Sequence, residues 1–292
     1  MFTATLIAAG RLTPTILAEA NDRLAAAGCV PTTLGWLDEG DAADIHFGLA
    51  AADARTALEG GFEGVDVVVQ SMTGREKKLL VADMDSTMIT VECIDELADY
   101  AGLKPKIAAI TEAAMRGELD FAGALDARVA LLKGLEASAI DRCRAERVTL
   151  MPGARTLVQT MRARGAASVL VSGGFTAFAE PVGKEIGFDR VIANRLDIVD
   201  AALAGTVAKP IVDAATKLET LRGVRAELGL ADEATLAVGD GANDLAMIGE
   251  AGLGVAYRAK PVVAAAAMAR IDHGDLTALL WAQGIARADW VE

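Results

Sequence analysis

Five short apolar runs, at 79–82, 168–171, 191–193, 235–238 and 252–256, each end in polar or glycine residues and each lead into a helix-patterned stretch. Strands that alternate with helices indicate a mostly parallel, doubly wound sheet, since a parallel neighbour is reached only through a long crossover. The chain from Leu79 onward is therefore expected to be an α/β unit. In such sheets ligands bind beyond the carboxyl ends of the strands.

One interval far exceeds a crossover, which needs only about a dozen residues. Between 85 and 168 no strong strand signal occurs, and the middle reads as helices: 94–101 closed by Gly102, 106–116 closed by Gly117, and 121–133 capped by Asp120 and stopped by Gly134. A helical insertion at about 90–150, leaving the sheet after its first strand, is expected to sit over the sheet's mouth as a cap.

Residues 1–75 follow another pattern: a strand at 3–8, a helix after Pro14 ending near Gly28, two extended segments, an Ala-rich helix from Ala50 and a strand at 65–69. Strand, helix, strand, strand, helix, strand is the split βαβ order of a small α+β domain. The charged, Gly-containing stretch 73–78 reads as a linker, which divides the chain into 1–75 and 76–292. A length of 292 residues suits two domains at roughly 150 residues each.

Composition removes several function classes. A net charge of −13 repels phosphate backbones and anionic lipid, so neither nucleic acid nor membrane is an expected partner. Aromatic residues, at 4%, are too sparse for a base-stacking surface. Cys29, Cys93 and Cys143 are odd in number and widely spaced, which argues against a disulfide framework or a zinc site. With no basic leader and no eighteen-residue apolar run, the expectation is a cytoplasmic protein without export signal or membrane span. An anionic substrate would then need a local capture device.

The strand ends supply candidates. Asp83 and Asp85 stand two residues apart just past the first run, a spacing that lets one carboxylate attack phosphorus while the other moves a proton. For the pair taken alone, solvated turn residues before a helix capped by Ser86 or Thr87 are the lesser alternative. Ser172, Gly173 and Gly174 end the second run, where a hydroxyl, backbone amides and a helix N-terminus can donate to phosphate oxygens. Asp240, after the fourth run, adds a third strand-end carboxylate toward Asp83 and Asp85, an oxygen-rich set that suits Mg²⁺. The surrounding 239–244 segment is no dinucleotide fingerprint, since Asp244 stands where the third glycine belongs. Lys217, on a helix beginning near Ala214, reads by itself as a solvated lysine. Phe121 and Arg128, seven apart, share one helix face.

Taken in order, Asp83-Met84-Asp85-Ser86-Thr87, Ser172-Gly173-Gly174, Lys217 and Gly239-Asp240-Gly241-Ala242-Asn243-Asp244-Leu245 resemble the motif set of the haloacid dehalogenase superfamily of phosphatases. Within it they are similar to the phosphoserine phosphatases, over about 79–275. The resemblance implies that Asp83 is the nucleophile and Asp85 the general acid, then base. It implies Mg²⁺ held by Asp83, the backbone carbonyl of Asp85 and Asp240, with Asp244 in support. Ser172, Gly173, Lys217 and Asn243 would contact phosphoryl oxygens, Lys217 also offsetting the charge of Asp83. On the cap, Glu92 would face the substrate ammonium and Arg128 its carboxylate, with Phe121 covering the site.

The expected activity is hydrolysis of O-phospho-L-serine to L-serine and phosphate, the last step of serine biosynthesis. A phosphatase or phosphotransferase for another small phosphomonoester stays open. So does a non-catalytic amino-acid sensor, although a dead core would be expected to lose Asp83 or Asp85. The N-terminal unit is similar in element order to ACT-like regulatory modules. Amino-acid binding, homodimer formation and simple packing all remain open for it.

Overall fold

The computed structural model describes residues 1–115 and 118–291. Its first strand, β1 (Phe2–Ile7), alternates faces: Ala4 and Leu6 join one buried apolar cluster, while Thr3 and Thr5 turn the other way. Helix α1 (Pro14–Ala26) starts where the Thr13 hydroxyl accepts the Ile16 N–H at 3.3 Å, with proline in its first turn. Then come β2 (Pro31–Asp38), β3 (Ala42–Phe47), α2 (Ala51–Leu58) and β4 (Asp66–Ser71), in the element order expected. They make an antiparallel sheet of order β2-β3-β1-β4, with α1 and α2 against its Ala4/Leu6 face.

The segment expected to be a linker is not a free one. Arg75 forks onto Asp44 with both nitrogens at 2.7 Å, and its Nε donates to the Ala282 carbonyl at 3.0 Å. Lys77, 3% exposed, donates to the carbonyls of Gly74 and Glu233. The charge that reads as solvation in the sequence instead satisfies a carboxylate and carbonyls that packing would leave unpaired. Burial lowers the Lys77 ammonium to a pKa of about 8.

Strand β5 (Leu79–Ala82) follows, and all four of its residues are buried. Among the described residues four cap helices come next: α3 (Cys93–Tyr100), α4 (Lys104–Met115), α5 (Phe121–Leu131) and α6 (Ser138–Arg147). The expected end of the second cap helix, at Arg116 and Gly117, lies outside the described residues. The core resumes with α7 (Ala154–Ala163), β6 (Ala167–Phe175), α8 (Thr176–Ile186), β7 (Arg190–Asn194) and a hairpin, β8 (Leu196–Val199) with β9 (Ala202–Val207). It closes with α9 (Ala214–Glu227), β10 (Thr235–Gly239), α10 (Leu245–Glu250), β11 (Leu253–Tyr257), α11 (Pro261–Ala266), β12 (Ala269–Ile271) and α12 (Ala278–Ala282).

The core sheet is parallel, of order β12-β11-β10-β5-β6-β7, which puts β5 near its centre. Along β5, Leu79 and Val81 face a cluster with Leu221 and Val224 of α9, while Leu80 and Ala82 face one with Leu157 of α7 and Phe178 of α8. A strand covered on both faces must be apolar at every position, which is why it stood out in the sequence.

Two backbone devices join cap to core. At the root, Thr90 N–H donates to Thr149 O at 3.0 Å and Met151 N–H to Met88 O at 2.9 Å, an antiparallel pair of tethers. At the far end the hairpin pairs with the loop after α5, through Gly134 N–H to Leu203 O and Leu203 N–H to Leu135 O. Among the described residues no helix is long and apolar enough to cross a membrane, and the three cysteines are buried and unpaired.

Candidate active site

The carboxyl ends of β5, β6 and β10 converge beneath the cap. Asp83 N–H donates to Val238 O at 3.0 Å, continuing the β5–β10 ladder by one residue. The chain then turns, and Asp85 Oδ1 accepts the Cys93 N–H at 3.0 Å in the first turn of α3. That contact ties the second carboxylate to the root of the cap.

Lys217 is fully buried, not solvated. The Asp213–Thr216 capping box fixes the first turn of α9, and Lys217 follows it directly as the helix's fourth residue. Its ammonium lies 2.5 Å from Asp83 Oδ1 and 2.7 Å from Asp244 Oδ1. Asp244 also accepts the Gly241 N–H at 3.0 Å. Gly239 is dictated by this arrangement, since a Cβ there would collide with the Asp244 carboxyl group.

The glycines at the carboxyl end of β6 are equally constrained. A Cβ on Gly174 would stand 2.8 Å from Asp85 Oδ2, and one on Gly173 would stand 3.1 Å from the Phe121 ring. Gly174 N–H donates to Ser172 Oγ at 2.9 Å, so the hydroxyl proton remains to be donated elsewhere. Asn194, which the sequence reading did not single out, braces this turn from β7. Its Nδ2 donates to Gly173 O at 2.8 Å and its Oδ1 accepts the Val212 N–H at 2.7 Å.

A cavity of about 390 Å³ lies between these strand ends and the cap. Its core wall carries Asp83, Asp85, Gly173, Gly174, Asp240 and Asn243, and its cap wall carries Glu92, Phe121 and Arg128. Glu92 accepts the Ser86 hydroxyl at 2.7 Å. Arg128 donates Nε to Ala124 O of its own helix at 3.2 Å. Ser172 and Lys217 have no exposed surface and lie behind the wall. Lys260, Thr111 and Ile94 also line the cavity and were not read from the sequence.

Crowded acid groups dominate the electrostatics. Burial raises the Asp83 carboxyl well above the usual range; Lys217 opposes the rise, and Asp244 and Asp85 reinforce it. Burial first, and Glu92 second, push Asp85 up to about 7. Asp240 rises to about 6, again by burial first and Glu92 second. Burial would lower the Lys217 ammonium, but Asp83 and Asp244 outweigh it and hold the group raised. Carboxylate oxygens of Asp83, Asp240 and Asp244 all lie within 4.8 Å of one another, a set that could hold a metal ion. A bound cation would offset the repulsion that these shifts report.

A sequence profile of haloacid dehalogenase-like hydrolases matches residues 80–249. Over 229 residues the chain is 48% identical to a phosphoserine phosphatase of Mycobacterium tuberculosis, covering 78% of this chain and 56% of that protein. Over 221 residues it is 46% identical to a phosphoserine phosphatase of a Polaromonas species, covering 74% of this chain and 94% of that protein. The chain spans about 56 to 60% of the length of the longer relatives it matches. A solved structure described as a probable phosphoserine phosphatase from Vibrio cholerae superposes with a TM-score of 0.79 at 32% identity, over 99% of this chain and 88% of that one.

Proposed function

The chain belongs to the haloacid dehalogenase-like hydrolases, and from that membership we propose that it hydrolyses O-phospho-L-serine to L-serine and phosphate, the last step of serine biosynthesis. One observation carries the substrate reading. The cavity opposes the paired aspartates of the core with one anion, Glu92, and one cation, Arg128, on the cap. A phosphate beside an ammonium and a carboxylate is the complement of that wall.

In this reading Asp83 attacks phosphorus in line with the seryl oxygen, forming an aspartyl phosphate. Lys217, 2.5 Å from Asp83, offsets charge as the dianion approaches. Asp85 protonates the leaving seryl oxygen, then takes a proton from the water that cleaves the intermediate. The Ser172 hydroxyl, the Gly173 amide, Lys217 and Asn243 hold phosphoryl oxygens. Glu92 holds the ammonium and Arg128 the carboxylate, while Phe121, packed over Gly173, shields the site from water.

The donor set fits Mg²⁺: it is all oxygen, and among the described residues the Asp240 carboxylate accepts one side-chain hydrogen bond, from the Thr87 hydroxyl at 3.4 Å. Asp83, the Asp85 carbonyl and Asp240 would hold the ion, with Asp244 in support. When bound it neutralises phosphoryl charge as a Lewis acid. Three buried thiols without a disulfide suit a reducing compartment, and we place the protein in the cytoplasm.

Phosphate release tests the proposal, measured on L- and D-phosphoserine, phosphothreonine and p-nitrophenyl phosphate. L-Phosphoserine is expected to lead in kcat/KM, activity to vanish on chelation, and Mg²⁺ to restore it where Ca²⁺ does so poorly. Full turnover after exhaustive chelation would remove Asp240 from its role. Preference for another phosphoester, or phosphate transfer to added alcohols in place of hydrolysis, would replace the substrate or the reaction.

A further inference from the structure

The cavity wall carries four carboxylates, Asp83, Asp85, Glu92 and Asp240, in a protein of net charge −13. A phosphoester dianion is repelled by such a wall before any contact forms. Lys217 does little to relieve this at the entrance, being fully buried between Asp83 and Asp244. Arg128 stands on the cap side. The remaining cation on the wall is Lys260, which is exposed and whose charge acts on Asp240 without a close ion pair among the described residues.

Lys260 stands on a braced arm. Its N–H donates to Asp240 O at 3.2 Å, and its carbonyl accepts the Val263 and Ala264 N–H groups at the start of α11. Two residues earlier, Arg258 N–H donates to Ile271 O at 2.8 Å and its guanidinium to Gly274 O at 3.1 Å. The backbone beneath Lys260 is therefore fixed beside Asp240, while its side chain is exposed on the cavity wall, its charge acting on Asp240.

We propose that Lys260 is the substrate-admitting cation of this site: it draws the phosphate dianion past the acidic wall, whatever alcohol the phosphate carries. The inference rests on the phosphoester reading above. It also separates two cations, because Arg128 would act on the carboxylate of one substrate and Lys260 on the phosphate of all.

The test compares Lys260→Met and Lys260→Arg in the full chain, with L-phosphoserine and p-nitrophenyl phosphate, at low and at high salt. At low salt Lys260→Met should lower kcat/KM for both substrates by a similar factor, about three- to ten-fold, mainly through KM. In roughly 0.5 M KCl, where the Debye length falls to a few ångströms, the deficit should largely close, and Lys260→Arg should restore activity at low salt. An unchanged kcat/KM at low salt overturns the proposal, as does a salt-independent loss in kcat, which would mark Lys260 as a brace for Asp240. If p-nitrophenyl phosphate is hydrolysed and phosphoserine is not, the substrate reading fails and the Lys260 comparison still stands on p-nitrophenyl phosphate. If neither turns over, the Kd of inorganic phosphate from thermal shift decides: an equal Kd in wild type and Lys260→Met overturns it.

Discussion

The N-terminal sheet and the cap both lie against the catalytic core, yet their seams are built in opposite ways. Along the first, buried polar groups meet partners across the boundary. Arg75, in the connecting segment, forks onto Asp44 and donates across to Ala282 O, and Asp66, 4% exposed, accepts N–H groups from Asp272, His273 and Gly274. Asp38 accepts the Trp281 indole N–H at 2.6 Å and the Arg287 N–H at 2.8 Å. The cap seam has backbone pairing at its two ends and a cavity of about 390 Å³ between them. There Asp85 and Asp240 carry raised pKa values. Satisfied buried charge fixes one domain on another, whereas crowded, unmatched charge is kept where a ligand will match it.

Breaking the closed seam should give the largest effect. Arg75→Ala leaves Asp44, 8% exposed at its side chain, without its guanidinium, which costs about 3–5 kcal/mol of stability. Urea unfolding should register that loss, while turnover per folded molecule at 20 °C stays close to wild type. A large kcat defect with unchanged stability would mean that this seam serves catalysis, and the contrast would fail.

Breaking the open seam should do the reverse. Arg128→Ala should lower kcat/KM for phosphoserine by about 1–3 kcal/mol, the range of a charge-assisted contact, and spare p-nitrophenyl phosphate, which has no carboxylate to lose. Equal losses on both substrates would move Arg128 to the phosphate or to cap folding. Little change in stability is expected.

The smallest effect concerns pH at the closed seam. Lys77 has its ammonium lowered from 10.5 to about 8, by burial first, with Glu233 opposing and Arg75 reinforcing the shift. Its folded-state pKa lies below the unfolded value, so the unfolded chain holds this proton more tightly between about 8 and 10.5. The lysine's contribution to stability therefore rises with pH across that window and is level below it. Subtracting Lys77→Met unfolding free energies from wild type at pH 7.5 and pH 9.5 should give a larger value at the higher pH. Parallel pH dependences would show Lys77 to be charged in the fold throughout.

The two regions also differ in how legibly the sequence announced them. β5 was visible because both its faces are covered, and the aspartates because acid groups directly after such a run are chemically conspicuous. Lys217 was legible only through the family's motif order, since nothing local to α9 signals that its ammonium is buried. Helix α6 went unread: its Ser-Ala-Ile-Asp-Arg-Cys-Arg-Ala-Glu-Arg sequence buries only Ala139, Ile140 and Cys143 amid charge. The β8–β9 hairpin and three-residue β12 are too short for a periodic signal. Arg75 and Lys77 misled because a charge run reads as solvated unless its partners, distant in sequence, are known. Lys260 had a signal that went unused, since the rule that ligands bind past strand ends applies equally to the end of β11.

Covalent trapping at Asp83 tests the account most directly. Wild-type protein mixed with L-phosphoserine, quenched in acid within the first turnovers and digested, should yield a hydroxylamine-labile phosphate on the peptide that contains Asp83. Asp83→Asn should yield no label and turn over several orders of magnitude more slowly. Label on another residue, or Asp83→Asn activity above about a hundredth of wild type, would contradict nucleophilic attack by Asp83.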